Sequence, residues 1–119
     1  MSRHESLVRL RHMLDHAREA VAMAAGKTRE DLDSDRKLNL ALVRLLEIVG
    51  EAASRMPADE RTHYPQIPWG QIVGLRNRLI HGYDSVDFDI LWQVVHHDLP
   101  ALIVALEQIV PSDPSEGGA

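Results

Sequence analysis

Apolar residues recur at spacings of three and four along most of the chain, a pattern that predicts amphipathic helices. The first predicted helix runs from about Glu5 to Ala25. Gly26 follows it, at the place where a helix end often needs a residue in the left-handed conformation. Residues 27–34 are mostly polar and predict a connector with a short helical turn, in which Ser34 or Asp33 could cap the next helix.

The second predicted helix, from about Asp35 to Met56, is apolar on more than one face. A helix of this kind is expected to lie centrally in a bundle and also to contact a second subunit. Pro57 ends it. Its polar positions form a narrow stripe of Arg44, Glu47, Glu51 and Arg55.

Prolines and turn residues divide the rest of the chain into two further helices. A short helix is predicted over Ala58–His63, and Pro68 is suited to begin a third main helix over about Trp69 to His81. Gly82 ends that helix, and residues 82–87 form a loop.

Asp87 is a good N-cap for the fourth main helix, which continues to about Val110. Pro100 lies inside this helix and predicts a kink. The whole pattern predicts an all-α fold, an antiparallel bundle of four main helices with short helical turns. Residues 1–110 form one domain, and the polar residues 111–119 are expected to be a disordered tail.

Composition and charge narrow the range of functions. The chain has no cysteine, which excludes disulfides, thiolate metal sites and cysteine nucleophiles. Its net charge of −5 argues against a protein that coats nucleic acid broadly, so any nucleic acid would bind at a small local site. Because no apolar run approaches the roughly 18 residues of a membrane span and no signal peptide is seen, we expect a cytoplasmic protein without membrane partners.

Residues 75–84, with the sequence Leu-Arg-Asn-Arg-Leu-Ile-His-Gly-Tyr-Asp, carry the best candidates for chemistry. Asn77 and His81 are four residues apart and are predicted to share one face of the third helix. Arg76 is five residues before His81, about 140° around the helix, but its long side chain can reach the same site. Tyr83 follows Gly82 and is predicted to stand at a loop tip near His81.

These residue types suit phosphodiester chemistry. Histidine transfers protons near neutral pH, arginine binds a phosphate and stabilises added charge, and asparagine orients a neighbour. Without a carboxylate cluster at metal spacing, such catalysis would be metal-independent, with the 2′-hydroxyl of RNA as the nucleophile. The same residues also fit an ordinary helix end, where the dipole favours histidine and arginines are solvated, so spacing alone leaves both interpretations open.

The pattern Arg-Asn-x-x-x-His-x-Tyr resembles the signature of the HepT-like toxins, a branch of the HEPN superfamily of helical ribonucleases. Residues 45–53, residues 65–69 and Val86-Asp87 also resemble that family, and the similarity extends from about Leu7 to Leu106. The resemblance implies a HEPN-like homodimer in which the two motifs face each other across a cleft. It assigns phosphate binding to Arg76, general acid–base catalysis to His81 and support of the geometry to Asn77, with no cofactor.

The resemblance also implies a regulatory partner. The chain would be the toxin of a type VII-like toxin–antitoxin pair, a metal-independent endoribonuclease that leaves a cyclic phosphate. An MntA-like nucleotidyltransferase antitoxin would neutralise it by attaching AMP to Tyr83. The alternative function is a non-catalytic helical dimer that binds RNA or a nucleotide, or that serves only as partner of a nucleotidyltransferase.

Glutamates of the second helix allow two interpretations. Glu47 and Glu51 either face the cleft and orient Arg76, or only form ion pairs with Arg44 and Arg55 at helical spacing. The structural interpretation is favoured, and Glu51 is kept with Asn77 as a candidate supporting residue.

Other polar and aromatic residues have an ordinary explanation that is preferred. The pair of His12 and His16 could bind a metal but lacks a third ligand, so a surface role is favoured. The remaining candidates are expected at the surface or in core and dimer contacts: His96, His97, Trp69 and Trp92.

Overall fold

Eight α-helices and one π-helical turn build residues 1–111, the part of the chain that the computed structural model describes. The all-α fold is confirmed, and within these residues the extended backbone is limited to one isolated antiparallel bridge between Ile80 and Val86. Apart from Pro111, the predicted tail of residues 111–119 lies outside the described residues. The elements are α1 (Arg3–Ala24), α2 (Asp31–Ser34), α3 (Arg36–Ser54), α4 (Ala58–Arg61), α5 (Trp69–Val73), α6 (Leu75–Leu79), α7 (Phe88–Gln93), the π-helical turn (Val94–Asp98) and α8 (Leu99–Glu107).

The two long helices, α1 and α3, begin and end within two residues of the predicted positions. The α1 helix starts after Ser2, whose hydroxyl accepts a hydrogen bond from the Glu5 amide. It ends before Gly26, which has a φ of 76° and so supplies the left-handed residue that was predicted. The α3 helix is capped by Asp35, which accepts from the Leu38 amide, and not by Ser34 or Asp33.

A single hydrophobic core holds the bundle together. The α1 helix packs against α3 and α8, and leucine, alanine and valine side chains fill the space between them. Because the apolar face of each helix is removed from water there, burial of these side chains is the main stabilising contribution. Within residues 1–111 no helix combines the length and the apolar character needed to cross a membrane. The most deeply buried side chains include Leu10, Leu14, Leu42, Leu46, Leu91, Leu99 and Leu106.

The prediction of one continuous third helix over Trp69 to His81 is wrong. The segment is divided into α5 and α6 at Gly74, a residue that disfavours a helix interior, and α6 ends at Leu79. Ile80 is extended, with φ −109° and ψ 118°, and bridges to Val86. The hydrogen bonds at this bridge satisfy backbone N–H and C=O groups that would otherwise bond within a longer helix. The β-branched side chain of Ile80 also suits the extended conformation.

A π-helical turn over Val94–Asp98 interrupts the last helical segment just before Pro100, the residue at which the sequence predicts a kink. Proline has no N–H, so Pro100 cannot donate to the preceding turn. The Leu99 amide donates instead to the carbonyl of Val94, five residues earlier, which is the bond of a π-helix. At the other end, Asp87 caps α7, as predicted.

Candidate functional site

A short hairpin carries His81 and Tyr83 away from the helices. The Asp87 amide donates to the carbonyl of Leu79 (2.8 Å) and the His81 amide to that of Ser85 (2.7 Å), which closes residues 79–87 into a loop. Gly82 at its turn has a φ of 103°, a conformation that favours glycine. Tyr83 has a relative exposure of 104%, so its predicted position at a loop tip is confirmed.

The second element of the site is Arg76, on α6. Its side chain is 67% exposed, and its Nε lies 3.5 Å from a carboxylate oxygen of Glu47 on α3. An ion pair this exposed adds about 0–1 kcal/mol to stability, so its main effect is to direct the guanidinium. The terminal nitrogens of the guanidinium remain available to bind a ligand.

Two neighbouring clefts meet at Arg76. One, of about 320 Å³, separates α3 from the hairpin, and Leu40, Tyr83 and Asp84 contribute to its walls. The other, of about 280 Å³, is bordered by Glu51 and other α3 residues. Because Glu47 and Arg76 line both clefts, the guanidinium stands on the ridge between them.

His81 does not share a helix face with Asn77, so that prediction is wrong. Asn77 lies on α6, whereas His81 lies in the hairpin beyond the end of that helix, because the chain becomes extended at Ile80. His81 is also absent from the lining of the cleft that contains Arg76 and Tyr83. One copy of the chain therefore brings Arg76 and Tyr83 to one cleft and leaves His81 beside it.

A carboxylate faces the imidazole of His81. Asp87 Oδ2 lies 3.8 Å from His81 Nε2, and Asp87 Oδ1 accepts hydrogen bonds from the amides of Asp89 (3.0 Å) and Ile90 (3.1 Å). The sequence predicted Asp87 only as a helix cap. The sequence feature that could have indicated a contact with His81 is the position of Asp87 directly after the loop that carries this histidine.

The two glutamates of α3, Glu47 and Glu51, make different contacts. Glu51 pairs with Arg55 at 2.8 Å, four residues along the same helix, as the favoured structural interpretation predicted. For Glu47 that interpretation is wrong, because its carboxylate contacts Arg76 and not an arginine of α3. Glu51 borders the second cleft together with Arg76 but is paired elsewhere. Asn77 is exposed on α6 next to Arg76.

The remaining candidates lie away from this site. The placement of the tryptophans against the core is confirmed, with Trp69 donating to the Tyr64 carbonyl (3.0 Å) and Trp92 stacked on His96 at 3.7 Å between ring centres. His97 is exposed. Across residues 1–111, no group of three or more potential ligands could hold a metal ion.

A hydrogen-bonded group of acidic and basic side chains holds the first turn of α7. Arg29 bonds to Asp89 (2.7 Å) and to Asp33 (3.1 Å), and the bond to Asp89 is the main cause of the raised pKa of Arg29. This contact connects the start of α7, and with it Asp87, to the α2 segment.

Fold and site together define a class of protein. It is an all-α bundle that presents an arginine at a cleft, a histidine with a carboxylate behind it and an exposed tyrosine. These groups suit the binding of phosphates and the transfer of protons.

Comparison with known proteins identifies the family within that class. A family model described as ribonuclease HepT-like matches residues 13–109, and the chain belongs to this family. A probable ribonuclease HepT of Thermococcus cleftensis is 37% identical over 81% of this chain and 91% of its own length. A Caldanaerobacter subterraneus protein named as a candidate RNase is 33% identical over 87% of this chain and 93% of its own. No solved structure gives a significant match.

Proposed function

We propose that the chain is a metal-independent endoribonuclease toxin that cleaves RNA through Arg76 and His81. Membership of the HepT-like ribonuclease family and the names of its relatives support RNA as the substrate. The observation that carries the proposal is the pairing of an exposed Arg76 at a cleft with a hairpin whose His81 faces a fixed carboxylate.

Arg76 supplies the positive charge in this mechanism. Its guanidinium donates two parallel hydrogen bonds to the non-bridging oxygens of the scissile phosphate. As the 2′-oxygen attacks phosphorus, negative charge increases on those oxygens, and the guanidinium stabilises it. Glu47, 3.5 Å away, orients Arg76 for this contact. Glu51 and Asn77 support the geometry from the neighbouring surface.

His81 moves the proton. As a base it accepts the proton of the 2′-hydroxyl while the 2′-oxygen bonds to phosphorus, and as an acid it protonates the departing 5′-oxygen as the P–O bond breaks. The products are a 2′,3′-cyclic phosphate and a 5′-hydroxyl. Asp87 orients the ring and stabilises the positive charge of His81 when it carries the extra proton.

The complete site is proposed to need two copies of the chain. In one copy, Arg76 and Tyr83 line a cleft from which His81 is absent. Leu40, on the α3 wall of that cleft, is 51% exposed and offers apolar surface to a second copy. A homodimer formed across this face of α3 would cover Leu40 and bring the two motifs together.

Tyr83 is proposed as the regulatory position, modified with AMP by a nucleotidyltransferase antitoxin of the MntA type. The support is its full exposure at the rim of the Arg76 cleft. AMP on this phenol would add bulk and negative charge where an RNA phosphate must bind. Mass spectrometry of Tyr83 after incubation with such an enzyme and ATP tests the assignment.

One observation favours the alternative function. This alternative is a non-catalytic dimer that binds RNA or a nucleotide, or that serves only as partner of a nucleotidyltransferase. His81 is 56% exposed and outside the cleft lining, as a surface histidine would be. A cleavage assay separates the two functions.

The test is cleavage of a mixed RNA substrate in EDTA by unmodified parent protein and by the variants Arg76→Ala, His81→Ala and Arg78→Ala. Arg78 is the matched control, an arginine of the same helix that pairs with Asp98 at 3.3 Å. We expect cyclic phosphate ends from the parent and from Arg78→Ala. Each of the other two variants should lose at least about 100-fold in rate, since acid–base groups contribute about 10²–10⁴-fold and charge-stabilising groups about 10²–10³-fold. An inactive parent, or cleavage that survives both substitutions, contradicts the proposal.

A further inference from the structure

A groove on a face of α3 next to the Arg76 clefts collects positive charge. It has a volume of about 300 Å³ and is lined by Arg9, His12 and His16 from α1 and by Arg44 and Arg55 from α3, residues that we call the basic groove. The whole chain has a net charge of −5, so this surface differs in sign from the average.

Several polar groups in the basic groove have no protein partner among residues 1–111. Within residues 1–111, neither Arg9 nor Arg44 is paired with a carboxylate, and Arg9 Nε is shielded from solvent without a hydrogen-bond partner. His16 Nδ1 contacts the His12 carbonyl at 2.6 Å, which leaves Nε2 for a ligand. Glu51 is the carboxylate in the lining, and it is occupied by Arg55 at 2.8 Å.

The basic groove continues towards the proposed catalytic site. Glu51 borders both the basic groove and the cleft that contains Glu47 and Arg76. From Glu47 to Arg55 the α3 helix rises by about 12 Å, at 1.5 Å per residue. A chain of phosphates bound at Arg76 would therefore reach Arg44 and Arg55 across one exposed face of α3.

We infer that the basic groove binds the phosphate backbone of the RNA that Arg76 and His81 cleave. The inference rests on the proposed function and extends it by naming a substrate-binding surface away from the scissile bond. Guanidinium groups without carboxylate partners suit phosphates, which they contact with two parallel hydrogen bonds. An acidic protein partner fits the surface less well, because the groove lacks the large aromatic side chains that anchor protein interfaces.

The test measures binding of a fluorescent single-stranded RNA to the His81→Ala protein over a series of salt concentrations. The test variant adds Arg9→Gln and Arg44→Gln, and the control adds Arg3→Gln and Lys27→Gln, two exposed positions outside the groove that change the net charge equally. Removal of two phosphate contacts should lower the slope of log affinity against log salt by about 1.4, at about 0.7 per contact for a single strand. Circular dichroism shows whether each variant is folded.

Several outcomes overturn the inference. The first two are an equal slope for test and control variants and no RNA binding by the His81→Ala parent. The third comes from the same titration with polyglutamate, a model of an acidic protein, in place of RNA. If the test variant loses as much affinity for polyglutamate as for RNA, the groove is not specific for phosphates. Failure of the proposed function has a different result. In that case the protein with His81 intact does not cleave RNA, although the salt slope still depends on Arg9 and Arg44.

Discussion

Asp87 uses its two carboxylate oxygens for different purposes. Oδ1 accepts two backbone amides at the start of α7, and Oδ2 faces the imidazole of His81 at 3.8 Å. The capping bonds fix the carboxylate, so its position relative to His81 does not depend on side-chain freedom. The structural role and the proposed role in catalysis can therefore be separated by substitution.

Replacement of Asp87 by asparagine removes the charge and keeps the cap. Asparagine caps helices as well as aspartate does, so the free energy of unfolding should change by less than about 0.5 kcal/mol. The rate of RNA cleavage should fall about tenfold or more, a part of the 10²–10⁴-fold that acid–base catalysis contributes. Urea unfolding and single-turnover cleavage measure the two quantities.

Two variants serve as comparisons for Asp87→Asn. Asp89→Asn removes a charge from the same helical turn and weakens the pair with Arg29 but touches neither the cap nor His81, so cleavage should fall much less than for Asp87→Asn. Asp87→Ala removes both functions and should also cost about 1 kcal/mol of stability. If Asp87→Asn cleaves RNA as fast as the parent, the carboxylate has no role at His81.

Residue positions were predictable where local backbone chemistry sets them. The cap at Asp87, the left-handed Gly26 and the exposed loop position of Tyr83 depend on neighbours in sequence, and all three were predicted. The contact between Glu47 and Arg76 joins two helices that are far apart in the chain. Spacing along α3 could therefore offer it only as one of two interpretations.

The hairpin between α6 and α7 determines where His81 and Tyr83 stand. Its two backbone hydrogen bonds flank the turn, and Gly82 occupies the left-handed region with a φ of 103°. Few other residues adopt this conformation without strain. The hairpin therefore depends on one glycine more than on buried contacts.

Substitution of Gly82 by alanine should distort or loosen the hairpin. A strained conformation of this kind costs about 1–3 kcal/mol, so the free energy of unfolding should fall by about that amount, and cleavage should weaken because His81 is displaced. Thermal unfolding and the cleavage assay provide the readouts.

Gly70→Ala is the matched control for Gly82→Ala. Gly70 lies in α5, has no positive φ, and an added Cβ meets nothing within 4 Å. Alanine there should leave stability unchanged or raise it by up to about 1 kcal/mol. Equal effects of the two substitutions would show that the backbone of Gly82 does not control the hairpin.

The elements were predictable in proportion to their length. Long periodic segments gave α1 and α3 correctly, because a wide apolar face over many turns has one interpretation. The third helix was predicted too long, because the bridge between Ile80 and Val86 competes with the helix for the same backbone groups. The bridge joins residues on both sides of the loop. The periodicity of apolar residues within one helix gives no information about such a pairing.

At the scale of the molecule, local clusters of positive side chains occur on a protein whose net charge is negative. The net charge of −5 argued for a small local site for nucleic acid. The Arg76 cleft and the basic groove run along neighbouring faces of α3, and arginines from α1, α3 and α6 line them. Composition alone could not locate these residues, because they come from α1, α3 and α6. The family match agrees with the resemblance seen in the sequence.

The central proposal is that Arg76 and His81 of two copies of the chain form one ribonuclease site. The direct measurement is RNA cleavage by dimers formed when the Arg76→Ala and His81→Ala chains are co-expressed. If each site takes Arg76 from one copy and His81 from the other, every mixed dimer keeps one intact site. Random mixing in a symmetric dimer should then restore about one quarter of the parent activity. A co-expressed mixture as inactive as the separate variants, with mixed dimers shown to be present, would contradict the claim.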